Sequence, residues 1–401
     1  MKFLSTNLVA GILLPLFLAA IESERCYSQT SPWAMHIVDD ASRGADGVRL
    51  GDADKDGRTD VVTGWEEGGK IRVCFQPTTA AVQERWPSIR VGNVASPEDA
   101  VFADINSDGW LDVVSCCEGR EQAIYIHINP GQSTSVVRDA SKWKTILVKQ
   151  SRDVTRWMFC EPLGDGTLII GSKEPSAQIV QCVAKPDGSA TFTKLRECGW
   201  IMSLRRFDVD SDGDADIVYS DRKGPRRAVG WLENAGDGNW NDHLIGGTDV
   251  ENMFLDVTSV DGRPTVFCNT KSGCIVKFTP KEDVGQTWEE SRIPHPKGIG
   301  TGKGVATGDI DGDGIPDLAC TCEHSNGAIG VYWLKHAAGE QADLGLHSWQ
   351  FRNISGSKRG VKFDRLELVD LDRDGDLDLL TCEERHNLGV IWYENPAVNP
   401  P

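Results

Sequence analysis

Five stretches of the chain set oxygen-bearing side chains at alternate positions ahead of a glycine. They are Asp52, Asp54, Asp56 (Gly57) and Asp60; Asp104, Asn106, Asp108 (Gly109) and Asp112; Asp208, Asp210, Asp212 (Gly213) and Asp216; Asp309, Asp311, Asp313 (Gly314) and Asp317; and Asp370, Asp372, Asp374 (Gly375) and Asp378. Oxygen ligands at positions 1, 3 and 5, a turn glycine at 6 and an acid at 9 wrap a hard cation, with Ca²⁺ the best match. An EF-hand would place a bidentate acid at position 12, where this chain has Thr63, Ser115, Tyr219, Cys320 and Thr381. The EF-hand is excluded. Each loop runs directly into a β-rich pair such as Val61-Val62 or Ile217-Val218, so the loops are strand-to-strand turns. Five calcium sites are expected.

A second set recurs in phase with the first. Six residues beyond the position-9 acid, or its equivalent, stand Glu66, Glu118, Glu174, Arg222, Lys271, Glu323 and Glu384. Lys223, Arg226 and Arg227 add cations beside Arg222, so one sector is basic and the rest acidic. Such a mixture suits sugar hydroxyls or a uronate; solvated loop tips are the competing reading. Trp65, Trp157 and Trp200 fall outside the registers of the other tryptophans and offer indole faces to a sugar ring. Trp157 has the alternative of replacing packing lost in a degenerate repeat. For abstraction of an acidified proton beside an enolate-holding cation, the candidates are His324, His386, Lys303, Lys362 and Arg156. A further divalent cation among these groups would serve the same chemistry.

What must position these residues is a repeat. The acidic loop begins at 52, 104, 208, 309 and 370, and degenerate copies at Leu163-Gly164-Asp165-Gly166 and Val260-Asp261-Gly262 fill the two wide gaps. Seven units of about fifty residues match the four-stranded blades of a propeller. A strand headed by Trp starts at Trp33, Trp86, Trp143, Trp240, Trp288 and Trp349, with Phe192 heading the seventh. A third strand reads Gly230-Trp231-Leu232-Glu233-Asn234, again Trp392-Tyr393-Glu394-Asn395-Pro396, and more briefly Val331-Tyr332-Trp333. His36 and His243 belong to these phrases and are read as structural. The chain opens on a Trp-strand at 33–38 and closes on a third strand at 389–395, so the N-terminal strand is expected to complete the last blade and remove the open edge. The expected fold is all-β, a seven-bladed β-propeller over residues 29–401. Its acidic turns would lie on one face. The second set would ring the channel mouth on the other, where loops on a rigid scaffold bind ligands.

Residues 1–28 read as an export signal: Lys2, then an apolar run from Leu8 to Ile21 broken by Pro15 and too short for a comfortable membrane span. Cleavage is expected between Ala20 and Ser28, giving a secreted or periplasmic protein. The net charge is −18, from 60 acidic and 42 basic residues, yet 19 of the acids are Asp in the five loops. Bound cations would offset that excess, so neither nucleic acid nor membrane insertion is implied. Of the twelve cysteines, Cys116, Cys268, Cys320 and Cys382 fall on second strands, where a thiol packs as a small apolar group. Cys320, Cys322 and His324 alternate along one strand and form the soft-metal alternative; one or two disulfides are compatible with export.

Taken together, the acidic turns, the Trp33-Ala34-Met35-His36-Ile37 type of strand and the Trp-x-Glu-Asn-Pro strand at 392–396 resemble the FG-GAP/VCBS-repeat propellers of exported bacterial proteins, across about residues 33–396. The Trp-x-x-His and Trp-x-Glu-Asn-Pro phrases also look like the propeller domain of aldos-2-ulose dehydratase, a metal-dependent sugar lyase. A carbohydrate or cell-surface glycan, an acidic one included, is therefore the expected partner. Dehydration or β-elimination on a sugar, which the second resemblance implies, is the alternative. A protein-binding adhesion surface is the third reading.

Overall fold

Runs of four to nine residues, almost continuously buried in the second strand of each blade and more exposed in the outermost, are separated by turns, many of them glycine-bearing. In the computed structural model, which describes residues 31–282, 284–285, 287–336 and 349–396, these runs are 28 strands. The expected export signal lies outside the described residues. The strands form seven four-stranded antiparallel sheets, each one blade of an all-β propeller. Six blades take four consecutive strands. The last combines Phe363–Val369, Asp378–Glu383 and Gly389–Glu394 with the N-terminal strand Ala34–Asp39, in which Ala34 lies opposite Glu394 and Ile37 opposite Ile391. The ring closes as the repeat order predicts.

Among the described residues, seven apolar clusters fill the seven gaps between neighbouring blades. Cys116, Cys268, Cys320 and Cys382 are members of these clusters. All eleven described cysteines are free thiols. Burial pushes the Cys320 thiol up to about 12, as expected of packing groups rather than metal ligands.

The repeated phrases explain one another. His36 sits opposite Trp392, its ring 4.6 Å from the indole and its Nε2 2.7 Å from Glu394; His243 repeats this on Trp231 and Glu233 at 4.6 and 2.6 Å. Both histidines are structural, as expected. The Asn or Gln ending a third strand reaches the neighbouring blade: Asn129 donates to the Ala53 carbonyl, Gln76 to Leu371 and Asn395 to Ile310. Each of those carbonyls belongs to position 2 of the next acidic turn, so these turns are latched blade to blade. The two degenerate repeats close as tight hairpins instead. Asp165-Gly166 and Asp261-Gly262 all have positive φ, the two-residue turn that matches strand twist.

One irregularity positions the channel. All seven innermost strands carry a register shift near their start, between Asp46 and Arg49, Pro97 and Asp99, Trp157 and Cys160, and likewise in the other four. A bulge re-aims the side chains beside it. Asp46, Glu98, Met202, Met253 and Lys303 lie at these bulges, and all five line the channel mouth.

Candidate functional site

The acidic turns share one scaffold. The position-1 carboxylate accepts the position-6 N–H in every turn and in three of them the position-5 N–H too, as Asp52 does from Asp56 and Gly57 at 3.1 and 3.0 Å and Asp309 from Asp313 and Gly314 at 2.9 and 2.8 Å. The position-9 acid does something different: both its oxygens accept backbone N–H groups. Asp216 takes Val209 and Asn234 at 2.8 Å each, and Asp378 takes Leu371 and Asn395 at 2.9 Å each. It pins the turn to the end of the third strand. Burial pushes the Asp378 carboxyl up to about 7, and the two N–H donors act against that shift.

Carboxylate oxygens of Asp52/Asp54/Asp60, Asp208/Asp210/Asp216 and Asp309/Asp311/Asp317 each gather within 4.8 Å. Buried oxygens of Asp54, Asp208, Asp311 and Asp370 have no hydrogen-bond partner among the described residues. Orphaned oxygens in an all-oxygen cage fit a hard cation. Two turns also receive a cation from the protein, a feature invisible to the motif. Arg138 reaches Asp54 at 2.5 Å and Asp56 at 2.9 Å, and Lys335 pairs with Asp311 and Asp313.

On the opposite face, a cavity of about 740 Å³ opens at the channel mouth. Trp200, Met202 and Met253 give it an apolar floor, backed by Met158, Phe159 and Phe254. Its wall is charged, and most of the cations are already paired. Lys173 binds Glu118, Lys271 binds Glu323, Lys362 binds Glu384, Lys303 binds Asp364, and Arg222 binds Glu251 at 2.7 Å. Three lining acids, Asp46, Glu66 and Glu98, make no side-chain hydrogen bond or ion pair among the described residues, although Asp46 is only 3% exposed.

The electrostatics follow that division. Burial, then the charges of Asp364 and Glu98, pushes the Asp46 carboxyl well up, and burial pushes Glu98 up to about 7. Burial would also raise Asp364, but Lys303 and Lys362 outweigh it and hold that carboxyl low. Deeper in the channel, Arg49 grips Asp99 at 3.1 and 2.7 Å and reaches Glu161 at 3.3 Å. Arg205 touches Asp256 and Glu367 at 3.4 and 3.3 Å, and Arg365 holds Glu367 at 2.9 Å.

Most residues singled out in the sequence meet here. Glu66, Glu118, Trp200, Arg222, Lys271, Lys303, Glu323, His324, Lys362, Glu384 and His386 all line the cavity. The exceptions have physical reasons. Trp65 is fully buried between the first and last blades, on the same face of its strand as Val61. Trp157 is 1% exposed, lies 5.8 Å from Phe192 and donates its N–H to the Ser151 carbonyl at 2.8 Å, so it packs a blade. Arg156, one residue earlier on that strand, is exposed and lies outside the cavity. Glu174 lines a separate cleft, because counting six from Thr167, the true first residue of its strand, reaches Lys173. A slip of one residue exchanges the faces of a strand.

Trp200 reaches the mouth with its ring flanked by Lys173, Arg222 and Lys223, 4.5, 4.3 and 4.9 Å from the centroid. It carries a cation–π stack and also forms part of the cavity lining. His324 is 71% exposed and backs away from the buried Cys320 and Cys322, so the soft-metal alternative does not assemble. Asp46, Glu98 and Lys173 were missed, because the repeat phrase marks the turns and the bulges place these residues.

Comparison with known proteins agrees with the repeat reading. A family model described as FG-GAP-like repeat matches residues 52–115 and 309–381, each stretch spanning two acidic turns. No curated protein matches the chain. A solved structure titled "Crystal structure of BBS1N in complex with ARL6DN, soaked with mercury" superposes with a TM-score of 0.52 at 12% identity, covering 92% of this chain and 99% of that one. At that identity the likeness is one of fold. The chain is a seven-bladed β-propeller carrying FG-GAP-like repeats.

Proposed function

We propose that this chain is an exported propeller, braced by calcium in its acidic turns, whose channel mouth binds carbohydrate. The observation that carries the reading is the composition of the mouth cavity. An apolar floor of Trp200, Met202 and Met253 meets a wall of carboxylates, three of them without partners. Unpartnered carboxylates accept hydrogen bonds from sugar hydroxyls, and the apolar floor contacts C–H faces. A free uronate is served less well, since the cations are already engaged; it enters only by taking Lys173 or Lys271 from Glu118 or Glu323. For the turns, Asp208, Asp210 and Asp216, with their counterparts, would hold the calcium, and its binding would tie together carboxylates that otherwise repel.

A panel of neutral and acidic glycans, titrated against the wild type and against Trp200→Ala and Glu323→Gln, tests the site. Each substitution is expected to weaken binding roughly 5–150-fold, about 1–3 kcal/mol, while the melting temperature stays close to wild type. Binding that ignores both substitutions would move the ligand off the mouth.

Dehydration of a sugar is the second reading, favoured by His386. Its Nδ1 accepts the Gly360 N–H at 3.2 Å, so the neutral ring carries its proton on Nε2 and stands as a donor to a leaving hydroxyl. An unpaired carboxylate would take the C–H proton. Lys303, 5% exposed and locked to Asp364, stabilises charge rather than acting as base. New absorbance from an unsaturated product, lost in His386→Ala, would establish the enzyme; its absence across the panel leaves the binding module.

A further inference from the structure

The three unpartnered acids at the mouth are not scattered. Carboxylate oxygens of Asp46, Glu66 and Glu384 lie within 4.8 Å of one another, and so do those of Glu66, Glu98 and Glu118. Glu66 belongs to both groups. The five residues come from three neighbouring blades: the last supplies Glu384, the first Asp46 and Glu66, the second Glu98 and Glu118. The repeat phase supplies Glu66, Glu118 and Glu384 but not the arrangement as a whole. It exists only because the ring closes and because the bulges at Asp46 and Glu98 turn those side chains into the channel.

Clustered acids alone are common on protein surfaces, so the decisive feature is what surrounds these. Asp46 is 3% exposed, faces the cavity, and has neither a hydrogen-bond donor nor a cation within bonding distance among the described residues. One of its oxygens lies within 4.8 Å of carboxylate oxygens of Glu66 and Glu384, while Lys362 and Lys303 act on it from beyond ion-pair distance. Glu118 and Glu384 differ: Lys173 and Lys362 hold each of them from the side, which fixes the carboxylates where they stand. The constellation is thus two lysine-oriented acids flanking three that make no hydrogen bond or ion pair among the described residues and feel Lys173, Lys303 and Lys362 only at longer range. A buried carboxylate without a partner is costly, and three together more so. Oriented ligands held by outer partners around a vacancy of positive charge are the pattern of a metal centre.

We infer that the mouth holds a divalent cation on Asp46, Glu66 and Glu384, with Glu98 and Glu118 completing or extending the oxygen shell through the shared Glu66. The donor set is all oxygen, so a hard cation such as Ca²⁺, Mn²⁺ or Mg²⁺ is selected over zinc or copper. His324 and His386 lie on the same rim but outside both carboxylate groups. This site is separate from the acidic turns, which occupy the opposite face, and it does not depend on the nature of the organic ligand. It would supply the positive charge through which an acidic sugar could enter a wall whose own cations are engaged.

The test is a count of bound metal per chain by equilibrium dialysis against Ca²⁺ and Mn²⁺, on the full chain, for the wild type, Glu66→Gln, Asp46→Asn and Asp210→Asn. Glu66→Gln and Asp46→Asn are each expected to lose one cation relative to wild type. Asp210→Asn, in an acidic turn, should lose a different one, and the double substitution Glu66→Gln/Asp210→Asn should lose both. Should Asp46→Asn fail to fold, Glu66→Gln at the better-hydrated rim gives the same reading. If Glu66→Gln and Asp46→Asn both keep the wild-type count, the carboxylates are neutralised by protons and the inference is wrong. In that case neither substitution should raise the melting temperature in excess chelator, since a protonated carboxyl carries no repelling charge to remove.

Discussion

Asp216→Ala and Asp210→Asn perturb the same acidic turn in opposite ways. Asp216 is 1% exposed, and its two oxygens accept the N–H groups of Val209 and Asn234 at 2.8 Å each. Each such bond to a charged acceptor is worth about 1.5–3 kcal/mol, so alanine is expected to cost about 3–6 kcal/mol. That is a large fraction of the roughly 5–15 kcal/mol that holds a domain folded. Asp210 accepts one backbone N–H, from Asp212 at 3.2 Å. Its value lies in the cation it helps to hold. At calcium a hundredfold above the dissociation constant, one site stabilises by about 2.7 kcal/mol. Denaturant midpoints measured with excess calcium and with excess chelator should therefore separate the two. Asp216→Ala loses its stability in both conditions, whereas Asp210→Asn loses it in calcium and equals or slightly exceeds wild type in chelator, where it removes one repelling carboxylate. An Asp216→Ala protein as stable as wild type in chelator would refute the pinning role. An Asp210→Asn effect of equal size in both conditions would refute the ligand role.

Three further outcomes follow from the geometry. Deleting residues 29–40 removes the outermost strand of the last blade and bares the edge of Gly389–Glu394; the truncated chain should aggregate, and a soluble form with the wild-type melt would mean that the ring closes otherwise. Arg49→Ala leaves Asp99 buried without its partner and should cost about 3–5 kcal/mol, read from the unfolding midpoint; a change below 1 kcal/mol would show that water replaces the guanidinium, as roughly expected only of exposed pairs. His127 is fully buried against Ser115 and Thr145, and burial pulls it down to about 3 from 6.5. Its neutral form stabilises the fold fully above pH 6.5, and as pH falls toward 3 the unfolded chain takes up a proton that the folded one refuses. Stability should drop by about 1.4 kcal/mol per pH unit within that window from this residue alone, and His127→Gln should flatten the slope; identical slopes would assign the acid sensitivity elsewhere.

The blade count, the closure and the roles of His36 and His243 were legible because each rests on a phrase that recurs at a fixed period. Turn chemistry at Gly57 and its counterparts, and Trp-headed strands, carry local physics that does not depend on the rest of the ring. The face on which Glu66, Glu118 and Glu384 meet followed from the same phase. What the sequence hid was everything decided by a bulge or by a neighbour in the next blade. Asp46 and Glu98 read as ordinary strand residues until the register shift turns them inward. Lys173 was displaced from notice by one residue, because its repeat lacks the acid that sets the count. Trp65 and Trp157 looked free by exclusion from the other registers, yet blade packing claims them. Arg138, which enters the turn at Asp54, comes from a segment with no motif, and Lys335, which enters at Asp311, stands where the other third strands carry Glu233 and Glu394.

The claim on which the functional account turns is where a carbohydrate sits. A crystal structure of the chain with the tightest glycan from the panel tests it directly. The account predicts sugar density over Met202 and Met253, with hydroxyls within hydrogen-bonding distance of Glu66 or Glu98. Density on the outer strands or on the acidic-turn face, or a panel in which no glycan binds, would contradict it.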